Sequence, residues 1–95
     1  MERQTFENVF EALMDTPEAA ANMTMRSDLL RAIRKVVQGW SLPQTAAAKR
    51  LGVSQPRLND LLKNRINKFS LNALVTLGAR AGLTVRLDVT APEAA

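Results

Sequence analysis

The sequence predicts a mainly α-helical (all-α) domain, a bundle of about five helices that ends in one β-strand. Apolar residues recur every three or four positions through most of the chain, which is the period of amphipathic helices. Ser, Thr, Pro and Gly stand where such helices would begin and end. Only residues 83–90 follow a period of two, which is typical of a strand with one buried face.

The first helical segment is predicted at residues 5–14. Its apolar residues at helical spacing are Phe6, Val9, Phe10 and Leu13. Thr16 then provides an N-cap for a second helix, with Pro17 at its first position. Residues 22–24 are expected to interrupt or recap that helix.

The helical signal is stronger over residues 26–38. One face is apolar, and its members are Leu29, Leu30, Ile33, Val36, Val37 and then Trp40. Gly39 stands where a helix usually ends. We interpret Trp40 as a core residue rather than as a residue that stacks on a ligand.

Two short helices follow. Pro43 can occupy the first turn of a helix that runs to about Leu51, because that turn needs no N–H from it. Ser54 is a good N-cap for the next helix, which has Pro56 in its first turn.

The last helix is predicted to be capped by Ser70 and ended by Gly82. The residues expected to face inward are Leu71, Leu74, Val75 and Leu77.

The strand at residues 83–90 has no convincing partner elsewhere in the chain. Its apolar residues are Leu83, Val85, Leu87 and Val89. A lone strand leaves a full edge of backbone groups unpaired. Antiparallel pairing with the same strand of a second copy would satisfy that edge and form a two-fold homodimer. The alternative is that the segment docks on its own helices as an extended tail. Residues 91–95 are expected to be frayed.

Composition excludes several classes of function. The chain of 95 residues has no Cys and no His, which removes disulfides, thiol nucleophiles, histidine bases and ordinary zinc sites. We therefore expect no catalytic residues, no metal, no cofactor and no enzymatic activity. No apolar run approaches the roughly 20 residues that span a bilayer. The first residues do not resemble a signal peptide, so a cytoplasmic location is expected.

Charge is unevenly distributed along the chain. Residues 1–25 contain five acidic side chains and one basic, for a net charge of −4. Residues 26–95 contain twelve basic side chains and four acidic, for a net charge of +8. A strongly basic domain suits a polyphosphate partner such as DNA. A solvated positive surface without such a partner is the alternative.

Residues 44–63, QTAAAKRLGVSQPRLNDLLK, follow the pattern of a helix-turn-helix. Ala48 lies where the two helices would cross, and a larger side chain there would force them apart. Gly52 lies at the turn, where the backbone is expected to need a positive φ. The apolar contacts are expected from Ala47, Leu51, Val53, Leu58 and Leu61. Such a unit places its second helix in the DNA major groove.

These residues resemble a known family. Residues 26–82 are similar to the Xre/Cro-type helix-turn-helix domain of phage repressors. Residues 6–90 resemble small bacterial antitoxin-like regulators of the HigA type, through TPEAAANMTMRSDLLRAIRK, the helix-turn-helix and NRINKFSLNALVTLGARAGLTVRLDV. The resemblance implies a lambda-repressor-like bundle and a homodimer that represses its own operon and neutralises an mRNA-cleaving toxin of the RelE/HigB class. The implied units are an acidic segment at 1–24, a DNA-binding domain at 25–82, a dimerisation strand at 83–90 and a tail at 91–95.

The resemblance also implies the DNA contacts. By position, Gln44 would touch phosphate. The residues that would contact base edges are Ser54, Gln55, Pro56 and Arg57. Gln can bind adenine, Arg can bind guanine, and a Pro ring can pack on a thymine methyl. One turn further along are Asn59 and Asp60, and Asp60 would accept from a cytosine amine or orient Arg57 or Arg65. The residues that would reach phosphates are Lys63, Arg65 and Lys68.

Alternatives remain for these roles and for the function. Gln55 could be a solvated surface residue, and Arg57 could form an intramolecular ion pair with Asp60. The expected function is a sequence-specific repressor of a palindromic operator, with a basic toxin as a second partner. The acidic segment is complementary to such a toxin, although it could instead fold on its own basic domain. A stand-alone phage-type repressor and a protein-interaction module on the same fold are the other candidates.

Overall fold

The computed structural model of the chain describes residues 16–92, which contain four α-helices and one 3₁₀ helix. The helices are α1 (Pro17–Gly39), α2 (Gln44–Leu51), α3 (Gln55–Leu62), the 3₁₀ helix (Ile66–Lys68) and α4 (Leu71–Arg80). The predicted helix at residues 5–14 lies outside the described residues. Within residues 16–92 no helix is long and apolar enough to cross a bilayer.

Helix α1 begins as its sequence predicts. The Thr16 hydroxyl accepts the N–H of Ala19 at 3.1 Å, and Pro17 is the first helical residue. The predicted interruption at residues 22–24 is wrong, because α1 continues through them to Gly39. The Asn22 amide oxygen accepts from Nε of Arg26 at 2.7 Å, one turn further on. Asn22 therefore bonds along the helix surface instead of capping a new helix.

The connection from α1 to α2 is tight. The Trp40 N–H donates to the Val37 carbonyl at 3.1 Å, and Ser41 adopts a positive φ of 55°. Trp40 is half-buried at the edge of the core, and the Arg50 guanidinium lies 4.3 Å from the centre of its ring. Pro43 is the residue immediately before α2 rather than a member of its first turn.

The turn between α2 and α3 has the predicted geometry. Gly52 has a φ of 80°, which L-residues with side chains rarely adopt. Its N–H and that of Val53 both donate to the Ala48 carbonyl, at 2.8 and 3.0 Å, and this closes the end of α2. Ser54 then caps α3, since its hydroxyl accepts the Arg57 N–H at 3.2 Å. The three residues between the helices, Gly52, Val53 and Ser54, turn the chain so that α3 packs across α2.

One apolar core joins the helices. Its buried residues are Leu30, Ile33, Val37, Ala47, Ala48, Leu51, Leu58, Leu61, Phe69, Leu74 and Leu77. Helix α1 packs along α4, and it also contacts α3 and the 3₁₀ helix. The expectation that Val75 faces inward is wrong, because 39% of it is exposed on the outer side of α4. Phe69, which the sequence did not single out, is almost fully buried.

The predicted strand at residues 83–90 is not formed in the described chain, where the segment pairs with no other strand. Its beginning docks on the chain's own helices, as in the alternative interpretation. The Leu83 N–H donates to the Gly78 carbonyl at 2.9 Å, and Leu83 packs against the core. Leu87 and Val89 are 82% and 76% exposed. A strand requires a second strand for its backbone hydrogen bonds, and residues 16–92 contain no other strand that could pair with this one.

Candidate nucleic-acid interface

The outer face of α3 is polar. Gln55, Asn59 and Lys63 follow one another at intervals of four residues, so they lie on the same face of the helix. Leu58 and Leu61 are buried on the opposite side and fix the helix on the core. Within the described part of the chain, the three polar side chains make no hydrogen bond. Their donors and acceptors are therefore available to an external partner.

The start of α3 offers one free backbone donor. Pro56 has no N–H, and the N–H of Arg57 is bonded to the Ser54 hydroxyl. The N–H of Leu58 donates to the Ser54 carbonyl at 2.9 Å. Among the described residues, only the Gln55 N–H is left without an acceptor in this first turn. Gln55, whose side chain is exposed, thus also presents a free N–H.

The start of α2 is more open. Pro43 precedes it and supplies no side-chain cap. The first backbone donor to find an acceptor is Ala47, whose N–H donates to the Pro43 carbonyl at 2.9 Å. The N–H groups of residues 44–46 have no acceptor within residues 16–92, and Gln44 is exposed beside them. Unpaired N–H groups at a helix N-terminus bind anions such as phosphate.

Arg57 does not extend from α3 into solvent. Its guanidinium lies 4.1 Å from the centre of the Phe69 ring, and Nη1 donates to the Lys68 carbonyl at 2.7 Å. Arg57 lies one turn before the buried Leu61, so its side chain leaves the helix on the flank that borders the core. The arginine therefore connects α3 to the 3₁₀ helix.

Asp60 takes Arg65 as its partner. Nη1 of Arg65 donates to Oδ1 of Asp60 at 3.0 Å, and the Arg65 N–H donates to the Asp60 carbonyl at 3.0 Å. The alternative ion pair between Arg57 and Asp60 is therefore absent from this structure. The carboxylate neutralises one cation next to α3, and it orients the turn that follows the helix.

The exposed cations Lys63, Arg65 and Lys68 follow α3 directly. Asn64 makes the turn among them with a positive φ of 61°. Two hydrogen bonds bring predicted site residues together around the end of α3. Arg57 donates to the Lys68 carbonyl, and Arg65 donates to the Asp60 carboxylate. Gln44 is joined to them only through the packing of α2 on α3.

Two further arginines hold the site in place, and sequence reasoning missed both. Nη1 of Arg26 donates to the carbonyls of Ile66 and Phe69 at 3.3 and 3.4 Å, which fixes the 3₁₀ helix on α1. Nη1 of Arg80 donates to the Gly52 carbonyl at 3.0 Å, which fixes the turn on α4. Each arginine is three or four residues from a buried leucine of its own helix, and that spacing is the signal that could have revealed its inward position.

A short helix, a turn at a positive-φ glycine and a second helix with an unpaired polar face together define a helix-turn-helix domain of the DNA-binding class. A family model described as a helix-turn-helix domain (HTH_37) matches residues 12–90, which is most of the chain, and the protein belongs to this family. Membership supports a DNA-binding regulator, and such domains are typically not enzymes. No curated protein shows a significant match to the chain.

Proposed function

We propose that the protein is a sequence-specific transcriptional repressor that binds a palindromic operator as a homodimer. The observation that supports this most directly is the outer face of α3. Gln55 and Asn59 can each bind an adenine edge through two hydrogen bonds, and neither has a competing partner among the described residues. Lys63 at the end of the same face can reach a phosphate.

Groups that can bind phosphate precede and follow α3 in the chain, and they support the same proposal. Before α3 are Gln44 and the open N-terminus of α2, and after it are Lys63, Arg65 and Lys68. Contacts of this kind set the register of a protein on the duplex but carry no sequence information. Base discrimination is thus assigned to residues near the start of α3, where Gln55 is exposed and its side chain has no hydrogen bond within the described residues.

Operator specificity is expected to need two copies. A single α3 of eight residues spans only a few base pairs, whereas two helices related by a two-fold axis contact half-sites about 34 Å apart. The exposed apolar residues Leu87 and Val89 provide a surface through which two copies can associate.

We further propose that the repressor is the HigA-type antitoxin of an operon that it regulates itself. Residues 1–25 have a net charge of −4, in contrast to the +8 of the rest of the chain. Toxins that cleave mRNA must attract phosphate, so a basic toxin is electrostatically complementary to this segment. A stand-alone phage-type repressor is the alternative, and the neighbouring reading frame distinguishes the two. A small basic protein encoded there favours the antitoxin.

DNA binding is tested by a salt titration with two duplexes of equal length, one containing a palindrome selected by the protein and one with the same bases scrambled. We expect the selected site to bind about a thousandfold more tightly or better. Both affinities should fall steeply with salt because bound cations displace counterions. Equal affinity for the two duplexes at every salt concentration would exclude sequence-specific repression.

The antitoxin role is tested by co-expression with the protein of the neighbouring frame. The matched pair is the full chain and a variant in which four of the five acids of its first segment become amides, namely Glu2→Gln, Glu7→Gln, Glu11→Gln and Asp15→Asn. We expect the wild type to restore growth and the variant to restore it poorly, while both repress a reporter equally. Full rescue by the variant would show that the acidic segment does not bind the toxin.

A further inference from the structure

The segment after α4 is self-complementary when it is placed antiparallel to a copy of itself. Residues 84–90 are Thr-Val-Arg-Leu-Asp-Val-Thr. Reversed, the order is the same except that Arg86 and Asp88, which have opposite charge, exchange places. A segment with this symmetry can match every residue of an identical strand at once.

We propose that two copies pair through residues 84–90 about a two-fold axis at Leu87. This inference rests on the homodimer of the proposed function and specifies its interface. Leu87 faces its counterpart on the axis, and Val85 lies opposite the partner's Val89. Arg86 lies opposite the partner's Asp88, so symmetry creates two cross-strand ion pairs. Directly opposed residues are the pairs that interact most strongly in an antiparallel sheet.

Neighbouring registers lack this match. A slip of one residue places Arg86 opposite the partner's Leu87 or Val89, which sets the polar face of one strand against the apolar face of the other. A slip of two residues moves the axis to Arg86 or Asp88. Two like charges then meet on the axis, and directly opposed like charges are destabilising.

The structure shows which side of residues 84–90 faces the helices. A methyl group built on Gly78 would lie 3.3 Å from Cγ2 of Val85, so Val85 packs over α4 toward α1. Opposed residues of an antiparallel pair point to the same face. Because Val85 faces the helices, the partner's Val89 opposite it must face them too.

A groove is available on that side. It has a volume of about 610 Å³ and lies between α1, α4 and residues 83–87. Apolar side chains from both helices line it, among them Met25, Leu29 and Val75. Met25 and Val75 are 45% and 39% exposed, and the opposing Leu87 and Val89 are more exposed still. Pairing in the proposed register brings the exposed residues of the partner over the exposed wall of the groove.

The charges of the segment are free to make these pairs. Arg86 and Asp88 are exposed, and neither takes part in an ion pair with any residue in the range 16–92. The same segment of a second copy carries the opposite charge at each of these positions. This charge complementarity favours a second copy of the chain, rather than an unrelated apolar peptide, as the partner that covers the groove.

Charge reversal tests the register. R86D has an acid at both charged positions of the strand, and D88R has a base at both, so each variant alone opposes like charges twice. We expect each to dimerise about tenfold more weakly than the wild type, or worse, in sedimentation equilibrium at low salt. The double variant R86D/D88R should dimerise like the wild type. An equimolar mixture of R86D and D88R should form a heterodimer, because every pair is then attractive.

A matched control is K35D, which changes the charge as R86D does but at an exposed position of α1. It should dimerise like the wild type. Because Arg86 and Asp88 are exposed, circular dichroism should show all variants folded. The register would be overturned if the R86D and D88R mixture failed to associate. It would also be overturned if K35D weakened dimerisation as much as R86D does. A wild type that is monomeric at every concentration would overturn the interface itself.

The same proteins separate this inference from the proposed function. If wild-type dimers distinguish operator from scrambled DNA but the charge variants also dimerise normally, the register is refuted and the repressor proposal is not. Wild-type dimers with the expected charge pattern but no preference for the operator would refute the repressor alone.

Discussion

The guanidinium of Arg57 lies 4.1 Å over the ring of Phe69, and its Nη1 donates to the neighbouring Lys68 carbonyl at 2.7 Å. The sequence places Arg57 near the start of α3, the helix expected to enter the major groove, where it would contact guanine. The structure places it against the core, where it ties α3 to the 3₁₀ helix. To reach a base, Arg57 would have to give up both contacts, which together are worth about 1–3 kcal/mol.

Arg57→Ala should therefore lower the free energy of unfolding by about 1–2 kcal/mol even without DNA, since the ring contact and the hydrogen bond are both lost. Thermal or urea unfolding of the free protein measures the change. The free energy of unfolding of Arg57→Lys should lie between those of the wild type and Arg57→Ala, because lysine keeps a positive charge over the Phe69 ring. Arg31→Ala, which removes an exposed arginine 3.5 Å from Asp28, is the control and should be almost neutral. An unchanged stability of Arg57→Ala would show that the contact contributes nothing.

Gln55→Ala should reduce discrimination at one base pair of the selected operator by about 1–3 kcal/mol while leaving non-specific affinity nearly unchanged. Gln55 is exposed and its side chain has no bond within the described residues, so the stability of the free protein should not change. Binding to the operator and to its single-base variants measures the effect. An equal loss of affinity for the operator and all its single-base variants would instead show that Gln55 contacts the DNA backbone.

Lys63→Ala should weaken binding to all duplexes by a similar factor. Lys63 is the exposed residue that immediately follows α3, a position from which we expect its ammonium to reach a phosphate rather than a base. The slope of log affinity against log salt should decrease by about 1 for each protomer, because one fewer counterion is released. Lys35→Ala on α1 is the matched control and should leave the slope unchanged. A sequence-dependent effect of Lys63→Ala would contradict the phosphate role.

Gly52→Ala should destabilise the protein by about 1–2 kcal/mol. At a φ of 80° the added Cβ is strained, and it would lie 3.2 Å from Nη1 of Arg80, which donates to the Gly52 carbonyl. Gly39→Ala is the comparison, because a Cβ there has no neighbour within 4 Å. It should be neutral or slightly stabilising in the same denaturation experiment. Equal effects at the two glycines would mean that the turn does not require its left-handed geometry.

Ala48→Leu should cost about 1–3 kcal/mol and weaken specific DNA binding. Ala48 is buried where α2 packs on α3, so the added atoms must push the two helices apart and change the direction of α3. Ala79→Leu adds the same volume at an exposed position of α4 and should have little effect. Unfolding curves and operator affinity are measured for both. Normal operator binding by a folded Ala48→Leu would show that α3 tolerates the shift.

Local interactions explain why much of the fold could be predicted. Thr16, Ser54 and Ser70 each cap a helix through a hydroxyl three residues before the N–H that it accepts, and Gly52 adopts its positive φ for reasons of its own covalent structure. The wrong predictions concern residues for which two local conformations compete. Asn22 could cap or bond along a helix, and in the structure its amide oxygen accepts from Nε of Arg26 within one continuous helix.

The candidate site divides in the same way. Periodicity determines that Gln55 and Asn59 share the outer face of α3, because Leu58 and Leu61 must face the core. It does not determine the direction of a long side chain at the edge of that face. Arg57 turns back because Phe69, which follows it by twelve positions, presents a ring within reach. A contact between residues so far apart in the chain is invisible to local patterns.

Among residues 16–92 the sequence by itself determined most of the helices, the caps at Thr16, Ser54 and Ser70, and the turn of the helix-turn-helix, since these depend on residues within one or two turns of each other. Only the tertiary structure decided which cations are held and which are free. Arg26, Arg57 and Arg80 are fixed by backbone carbonyls that folding brings to them. It also decided that Val85, although 41% exposed, contacts α4 at Gly78 while Leu87 and Val89 are 82% and 76% exposed. The physical reason is that burial and long-range hydrogen bonds depend on which distant surfaces meet, and local sequence does not specify that meeting.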